Sequence, residues 1–298
     1  MVHIPVLVDE VLQYLDLQEG EKAIDCTAGQ GGHTLRMAEV VGAKGLVLAI
    51  ERDPVAAEAL VHKILEQGMH DRIVVANGSY RDIADISQEE GFEGVQGILF
   101  DLGFSSWQIE ESGRGFSFQK DEPLDMRYDP TDEASRSARD IVNGASREEL
   151  ETILREYGEE PRARFVAKAI ADSRKKTPIE TTAQLAEIVA SVTRARPGIN
   201  PATRTFQALR IAVNDELLVV KQGLEGAREV AGDGCHIVVI SFHSLEDRIV
   251  KNEFRSWKEQ GFGTILTKKV VTARYGETRE NRRSRSAKLR AFLITNNQ

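Results

Sequence analysis

A glycine-rich turn and a following carboxylate are the residues of this chain whose spacing most clearly predicts chemistry. The turn is Asp25–His33 (DCTAGQGGH), and the next apolar run ends on Glu51. A strand, a glycine-rich turn, a helix and a second strand ending in a carboxylate are typical of a nucleotide-binding α/β half-domain. Glycines let the backbone approach a ligand, and the carboxylate can accept hydrogen bonds from both hydroxyls of a ribose.

Thr34 stands where a dinucleotide-binding turn has its third glycine. That glycine permits the close, donor-lined helix start on which a pyrophosphate binds. A cofactor without phosphates needs only space and hydrogen bonds. S-adenosylmethionine, which has an adenosine and an amino-acid tail but no phosphate, therefore fits this turn better than NAD.

Polar side chains also follow two later apolar runs. Asp101 ends the run 95–100, and Ser241–Ser244 (SFHS), which contains His243, follows the run 235–240. Ligands of open parallel sheets bind beyond the carboxyl ends of the strands. The sequence therefore predicts that these groups line one site together with the turn and Glu51.

Four strand–helix alternations position these side chains. Strands are predicted to end near 24, 50, 75 and 100, with helices beginning near 33, 54 and 81, and this alternation predicts a parallel sheet with right-handed crossovers. From 112 to 200 the sequence is polar and helical. The later predicted elements are helices over 146–157, 161–174, 181–193 and 200–230, and strands over 235–240, 264–272 and 287–295.

This pattern predicts a Rossmann-like α/β domain interrupted by a helical one. The α/β domain is expected to comprise about 1–105 and 200–298, and the inserted helical domain 106–199. A chain of 298 residues with 41% hydrophobic and 29% charged residues has the composition of a globular protein that buries a substantial core.

Composition excludes several classes of protein. Cys26 and Cys235 form no CxxC motif, so neither a disulfide framework nor a zinc site is indicated, and no metal is predicted. No stretch approaches the ~20 apolar residues of a membrane span, and the N-terminal residues show no secretion signal. We expect a cytoplasmic protein without a membrane partner.

The charge of the chain is unevenly distributed. The net charge is −8, but Lys268–Arg290 contains nine Lys or Arg against Glu277 and Glu280, a local +7 that leaves −15 elsewhere. The local field, not the total charge, steers a polyanion, so this segment could meet nucleic acid. A solvated basic surface is the alternative interpretation.

The chain resembles the bacterial small-subunit ribosomal RNA cytosine N4-methyltransferase family, whose members modify a cytidine in the decoding region. The resemblance covers nearly the whole length. Its strings are 3–7 (HIPVL), 25–33, 101–108 (DLGFSSWQ), 114–118 (RGFSF), 124–127 (LDMR), 157–160 (YGEE), 201–210 (PATRTFQALR), 240–248 (ISFHSLEDR) and 283–290 (RSRSAKLR).

The resemblance implies a class I S-adenosylmethionine-dependent methyltransferase sheet. It implies that the cofactor is bound by Gly31, Gly32, His33, Glu51, Tyr80, Asp101 and Gln108. The family usually has Asp where this chain has Glu51, a one-methylene change that should keep ribose binding. The implied partner is 16S ribosomal RNA in the small ribosomal subunit, and a homodimer is left open.

The cytosine amine is a poor nucleophile, so the implied reaction requires a group that activates it. The lone pair of the cytosine amine is delocalised into the ring, so a group that accepts its N–H would favour attack on the sulfonium methyl. Asp101 is the first candidate for this catalytic role and His243 the second. The target base must leave its helix. Arg114, Phe116 and Phe118 are candidate contacts of the base, and Arg282, Arg283 and Arg285 are candidate phosphate contacts.

Structural roles are the alternatives for these residues. His33 could cap its helix, Phe116 and Phe118 could be core, and Arg210 could brace a helix. The segment after Ser241 could be a helix capped by Ser244. Two other functions also stay open: a nicotinamide dehydrogenase, and an RNA-binding assembly factor without catalysis.

Overall fold

The computed structural model describes residues 5–104, 106–132, 134–193 and 200–295. Its chain divides into two compact units. The first comprises the chain up to Gly103 together with the chain from Leu217 onward, and the second is Phe104–Glu216.

The first unit contains the strands. In chain order they are β1 Lys22–Asp25, β2 Leu46–Glu51, β3 Ile73–Asn77, β4 Val95–Asp101, β5 Ala231–Ser241, β6 Gly263–Ile265 and β7 Lys288–Ile294. Within the described residues they form one seven-stranded sheet in the order β3-β2-β1-β4-β5-β7-β6. Strands β1 to β5 pair in parallel, whereas β7 is antiparallel to β5 and β6. The predicted Rossmann-like α/β class is confirmed.

The described helices connect and flank these strands or form the second unit. In chain order they are α1 Val8–Leu15, α2 Gly32–Val41, α3 Pro54–Glu66, α4 Ile83–Glu89, α5 Ser106–Glu110, α6 Ala138–Gly144, α7 Arg147–Glu156, α8 Ala163–Arg174, α9 Thr182–Val192, α10 Thr203–Asn214, α11 Glu216–Val230, α12 Ser244–Glu259 and α13 Tyr275–Glu280. None of the helices described has both the length and the apolar character that crossing a membrane requires.

Both faces of the sheet are buried, which explains the nearly continuous apolar text of the central strands. Successive side chains of a strand point to opposite faces. Accordingly Ile24 and Ile98 belong to one apolar cluster, with Leu224 of α11. Their neighbours Ala23 and Leu99 belong to the cluster on the other face. These packed faces fix the strand ends at which the candidate site lies.

The second unit has its own helical core. Leu150 of α7, Ile170 of α8 and Leu185 of α9 are buried in one cluster. The hydroxyl groups of Ser146 and Thr181 accept backbone hydrogen bonds from the first turns of α7 and α9, so these two helices begin close to the predicted residues.

The predicted helix over 200–230 is wrong. It is two helices, α10 and α11, separated by Asp215, whose φ of 52° lies in the left-handed region. The second unit therefore ends at Glu216 and not near 199, because Phe206 and Leu209 of α10 pack in its core. The predicted strand over 264–272 is also shorter, since only Gly263–Ile265 is regular.

Candidate functional site

Three carboxylates lie side by side at the carboxyl ends of neighbouring strands. Asp25 ends β1, Glu51 ends β2 and Asp101 ends β4, and β1 lies between the other two strands. Asp25 is in register with Ala49 and Leu99, so Glu51 and Asp101 each extend two residues further. The predicted convergence of these groups at the carboxyl ends of the strands is what the sheet topology produces.

The turn after β1 depends on Gly31. Its φ is 78°, a left-handed conformation that costs other residues about 1–2 kcal/mol. A Cβ at this position would also lie 2.5 Å from Cδ1 of Leu60 on α3. Helix α2 thus begins on a residue without a side chain, and among the described residues no side chain caps its first turn. The backbone N–H groups of this first turn can bind an acceptor group of a ligand.

Glu51 is held in place by two backbone amides. Its Oε2 accepts a hydrogen bond from the N–H of Gly29 at 2.8 Å, and its Oε1 accepts one from the N–H of Asp53 at 2.8 Å. Burial outweighs these bonds and raises the pKa of Glu51 to about 7. Each carboxylate oxygen still has capacity for a further hydrogen bond, which is what a ribose diol requires.

Asp25 and Asp101 are joined through Thr27. Asp25 accepts hydrogen bonds from the Thr34 hydroxyl at 2.7 Å and from the N–H of Thr27 at 3.1 Å. The Thr27 hydroxyl in turn accepts the N–H of Asp101 at 2.7 Å. Burial raises the pKa of Asp25 above its usual value. The ends of β1 and β4 are thereby fixed to each other by side chains as well as by the backbone hydrogen bonds between the two strands.

His33 faces Asp101. Nε2 of His33 lies 3.6 Å from Oδ2 of Asp101, beyond hydrogen-bond distance. Burial disfavours the charged imidazole, but the interaction with Asp101 outweighs it and raises the pKa of His33. Nε2 of His33 and Oδ1 of Asp101 are buried without a hydrogen-bond partner among the described residues. Buried polar atoms of this kind need a hydrogen-bond partner, such as an ordered water or a ligand.

His243 has a structural role that the sequence did not predict. Its Nδ1 accepts a hydrogen bond from the N–H of Glu246 at 3.3 Å, and its Nε2 lies 3.1 Å from Oε1 of Glu246. The Glu246 carboxylate accepts the N–H of His243 in return, so His243 and not Ser244 caps α12. Because the acceptor nitrogen is occupied by the cap, the structure argues against His243 as a catalytic base.

Tyr80 lies in the first unit after β3. Its ring packs edge-to-face on Phe100 with 5.5 Å between ring centroids. A Cβ on Gly223 of α11 would lie 2.6 Å from this ring, so the helix approaches it closely. The contact between Tyr80 and an adenine stays a prediction.

The four predicted site residues of the second unit are largely enclosed. Gln108 lies buried on α5. The buried guanidinium of Arg114 donates hydrogen bonds to the carbonyl oxygens of Arg127 and Tyr128 at 3.1 and 2.9 Å. Phe116 stacks on Tyr128 with centroids 5.6 Å apart, and Phe118 contacts Phe206 edge-to-face at 5.3 Å. This packing favours the core interpretation for Arg114, Phe116 and Phe118 over direct contact with RNA.

The basic segment is partly neutralised. Asp247 accepts a hydrogen bond from Arg290 at 2.7 Å and lies 3.6 Å from Lys288. These cations outweigh the effect of burial and lower the pKa of Asp247. Arg285 is exposed in the short helical turn before β7, which also contains Arg283. The side chain of Arg282 lies outside the described residues.

The sequence prediction included Asp25 as a strand end but gave Thr27 and Thr34 no role in the site. A signal for Thr27 was present, because the side chain of an Asp in a turn commonly accepts a hydrogen bond from the backbone N–H two residues on. Thr34 was read only as a missing glycine, whereas its hydroxyl binds Asp25.

Comparison with known proteins identifies the family of the chain. Residues 1–295 match the model of the MraW methylase family. The chain is 45% identical to the Ribosomal RNA small subunit methyltransferase H of Thermomicrobium roseum, over 97% of this chain and 92% of that protein. It is 44% identical to the protein of the same name from Persephonella marina, over 97% of each chain.

Proposed function

The chain belongs to the MraW methylase family, and we propose that it transfers a methyl group from S-adenosylmethionine to the N4 amine of a cytidine in the decoding region of 16S ribosomal RNA. Its relatives in Thermomicrobium roseum and Persephonella marina are named as methyltransferases of small-subunit ribosomal RNA. The choice of cytidine and of N4 rests on the motif resemblance described above.

The row of carboxylates carries the proposal for the cofactor. Asp25, Glu51 and Asp101 end three adjacent strands. In its ionised form, such a row disfavours a pyrophosphate by charge repulsion and favours a cation. S-adenosylmethionine supplies an electrophilic methyl group on a positively charged sulfur, and it carries no phosphate. The charge of the site therefore adds to Thr34 as an argument against the nicotinamide dehydrogenase.

The first unit offers fitting groups for each part of this cofactor. Glu51 is oriented by the amides of Gly29 and Asp53 and can accept the ribose hydroxyls. The uncapped start of α2, with Gly31, Gly32 and His33, offers donors to a carboxylate. Tyr80 and Asp101 are the other members of the first unit in the set that the resemblance implies, which also includes Gln108 of the second unit.

Asp101 is the residue that we assign to the amine. Its Oδ1 is a buried acceptor without a partner among the described residues, which suits an exocyclic N–H. Accepting that N–H increases electron density on nitrogen, stabilises the positive charge that develops there and provides a route for the departing proton. Nε2 of His33 lies 3.6 Å from Oδ2 of the same carboxylate.

The remaining chain is assigned to the RNA. Arg285 is exposed on the basic segment and Arg283 lies beside it, so we assign both to phosphate contacts. The helical second unit is assigned to substrate recognition. The reaction places the protein in the cytoplasm with the small ribosomal subunit.

Methyl transfer to purified small ribosomal subunits tests the proposal. The protein is mixed with S-adenosylmethionine labelled in its methyl group, and the RNA is digested to nucleosides and analysed by mass spectrometry. We expect label in N4-methylcytidine at one position. Label in another nucleoside would refute the cytidine assignment, and no label in RNA would favour an assembly factor.

Isothermal titration calorimetry tests the cofactor separately. S-adenosylmethionine and its demethylated product should bind to the pure protein, and NAD should not. Binding of NAD in preference to both would overturn the assignment of the strand ends and restore the dehydrogenase.

A further inference from the structure

Two aromatic rings of the second unit are each backed by an immobilised arginine. The guanidinium carbon of Arg210 lies 4.3 Å from the centre of the Phe104 ring. That of Arg114 lies 5.2 Å from the centre of the Trp107 ring. Phe104 is 37% exposed and Trp107 is half-buried. These rings, Phe104 and Trp107, are called the aromatic pair below.

The arginine behind Phe104 cannot move freely. Arg210 donates from Nε and Nη2 to the two carboxylate oxygens of Glu216, at 2.8 and 3.0 Å. Both side chains of this ion pair are 7% exposed. A bidentate pair fixes the plane of the guanidinium, and therefore the orientation of the ring that rests on it.

The arginine behind Trp107 is held by a different set of acceptors. Arg114 is 8% exposed and donates to the carbonyl oxygens of Arg127 and Tyr128. Its guanidinium also lies 5.6 Å from the centre of the Phe116 ring. It is therefore enclosed between two aromatic rings and two carbonyl groups.

Two residues, Tyr128 and Asn214, connect the two assemblies. The hydroxyl of Tyr128 donates to Oε1 of Glu216 at 2.8 Å, while its carbonyl oxygen accepts from Arg114. Asn214 also joins them, since it accepts the N–H of Tyr128 and donates to the carbonyl oxygen of Arg210. The two arginines thus belong to a single buried hydrogen-bond network, and the rings that they support are fixed by it.

We infer that the aromatic pair binds unpaired nucleobases of the RNA by stacking, an inference that rests on the proposed function for the identity of its ligand. Buried arginines are costly to desolvate, so two of them behind partly exposed rings need a compensating network such as this one. The result is a preorganised pair of flat surfaces. Flat aromatic surfaces bind bases without reading their sequence, because every base has a π-face.

The tryptophan of the pair provides a direct measurement. The chain has two tryptophans, and the other, Trp257, is buried at 3% exposure in the first unit. The difference in fluorescence between the wild type and Trp107→Phe therefore reports on Trp107. We expect oligocytidylate to quench this difference signal. Inorganic polyphosphate, a polyanion without bases, should leave it unchanged at equal charge.

Variants of Phe104 test the second ring. Phe104→Leu keeps apolar bulk but removes the π-face, and should weaken binding of oligocytidylate by roughly 5- to 150-fold. Phe104→Tyr should bind as the wild type does. Calorimetry with S-adenosylmethionine should give the same affinity for all of these proteins, and matching melting temperatures confirm that they fold.

Two results would overturn the inference. One is a Trp107 signal that does not change with oligocytidylate or changes equally with polyphosphate. The other is an oligocytidylate affinity of Phe104→Leu within about twofold of the wild type. Methyl incorporation into small ribosomal subunits by the same wild-type preparation separates the claims, because stacking without methyl transfer refutes the proposed function only.

Discussion

Nε2 of His33 and Oδ2 of Asp101 lie 3.6 Å apart at the carboxyl ends of the strands, without a direct hydrogen bond. Each group keeps one buried polar atom without a partner among the residues described. The pair is therefore arranged to complete its hydrogen bonding with a bound molecule.

Asp101→Asn tests this pair. The attraction to Asp101 raises the pKa of His33 against the effect of burial, so the variant should lower that pKa. Methyl transfer in a single turnover should fall by roughly 100-fold or more, the usual effect of removing a charge-stabilising group. NMR titration of the His33 ring and rapid-quench kinetics measure the two effects.

Asp85→Asn, on the exposed face of α4, is the matched control and should change neither quantity. A turnover of Asp101→Asn close to that of the wild type would remove Asp101 from any catalytic role. The sign for stability follows from the raised pKa: His33 stabilises the fold at low pH, and this contribution is lost as the pH rises through its folded-state pKa.

Glu51 should make cofactor binding depend on pH. Burial raises its pKa from 4.5 to about 7, and the neutral acid accepts fewer hydrogen bonds from a ribose. Affinity for S-adenosylmethionine should therefore fall as the pH drops below about 7, by up to about tenfold per unit. Calorimetry in buffers of different pH measures this dependence. Glu51→Asp should keep it, whereas Glu51→Gln should bind weakly at every pH.

The raised pKa of Glu51 also predicts that the stability of the protein without its cofactor depends on pH. Since the folded state holds the proton more tightly, the contribution of Glu51 to the free energy of unfolding decreases as the pH rises from 4.5 to about 7, by roughly 3 kcal/mol. Urea unfolding across this range should show a smaller decrease for Glu51→Gln. Parallel stability curves of the two proteins would show that Glu51 titrates normally.

Gly31→Ala should destabilise the fold through two separable effects. The left-handed φ of 78° costs about 1–2 kcal/mol, and the contact at 2.5 Å with Leu60 adds a further 1–3 kcal/mol, roughly. Gly68→Ala is the matched control, because Gly68 has a φ of 65° with nothing within 4 Å of the added Cβ. Gly68→Ala should show only the cost of the left-handed φ.

Adding Leu60→Ala to Gly31→Ala should recover part of the second cost, and a double-mutant cycle measures the coupling. Additive effects of the two substitutions would contradict the close approach. Cofactor affinity should fall for Gly31→Ala but not for Gly68→Ala.

Arg285→Glu should weaken RNA binding without affecting the cofactor. Losing one phosphate contact reduces the slope of log affinity against log salt by about one, and the introduced carboxylate adds repulsion. Arg255→Glu, an exposed reversal of equal charge on α12, is the control. Filter binding at several salt concentrations measures the affinity and the salt slope of each variant. Equal slopes for the two variants would refute the assignment of the basic segment to RNA.

The carboxyl edge of the sheet could be predicted from sequence because its signals are local. Strands buried on both faces read as short apolar runs, and polar residues such as Asp25, Glu51 and Asp101 mark where they end. A glycine at position 31 likewise indicates a left-handed backbone conformation in the turn. Contacts between residues distant in sequence carry no such signal.

Asp215 and His243 show what the sequence could not provide. The helical pattern continues through Asp215 without glycine or proline, so only the packing of α10 reveals the left-handed break. His243 is an unusual N-cap, and its role depends on the reciprocal bond with Glu246. The networks around Arg114 and Arg210 join segments far apart along the chain, which periodicity does not reveal.

The position of β4 between β1 and β5 has a consequence for synthesis of the chain. β1, β2, β3 and β4 emerge from the ribosome first, whereas β5 begins at Ala231, after the entire second unit. Until then one row of N–H and C=O groups on β4 has no strand to pair with, and such an open edge can recruit foreign strands. The nascent protein must therefore protect this edge while more than a hundred further residues are translated.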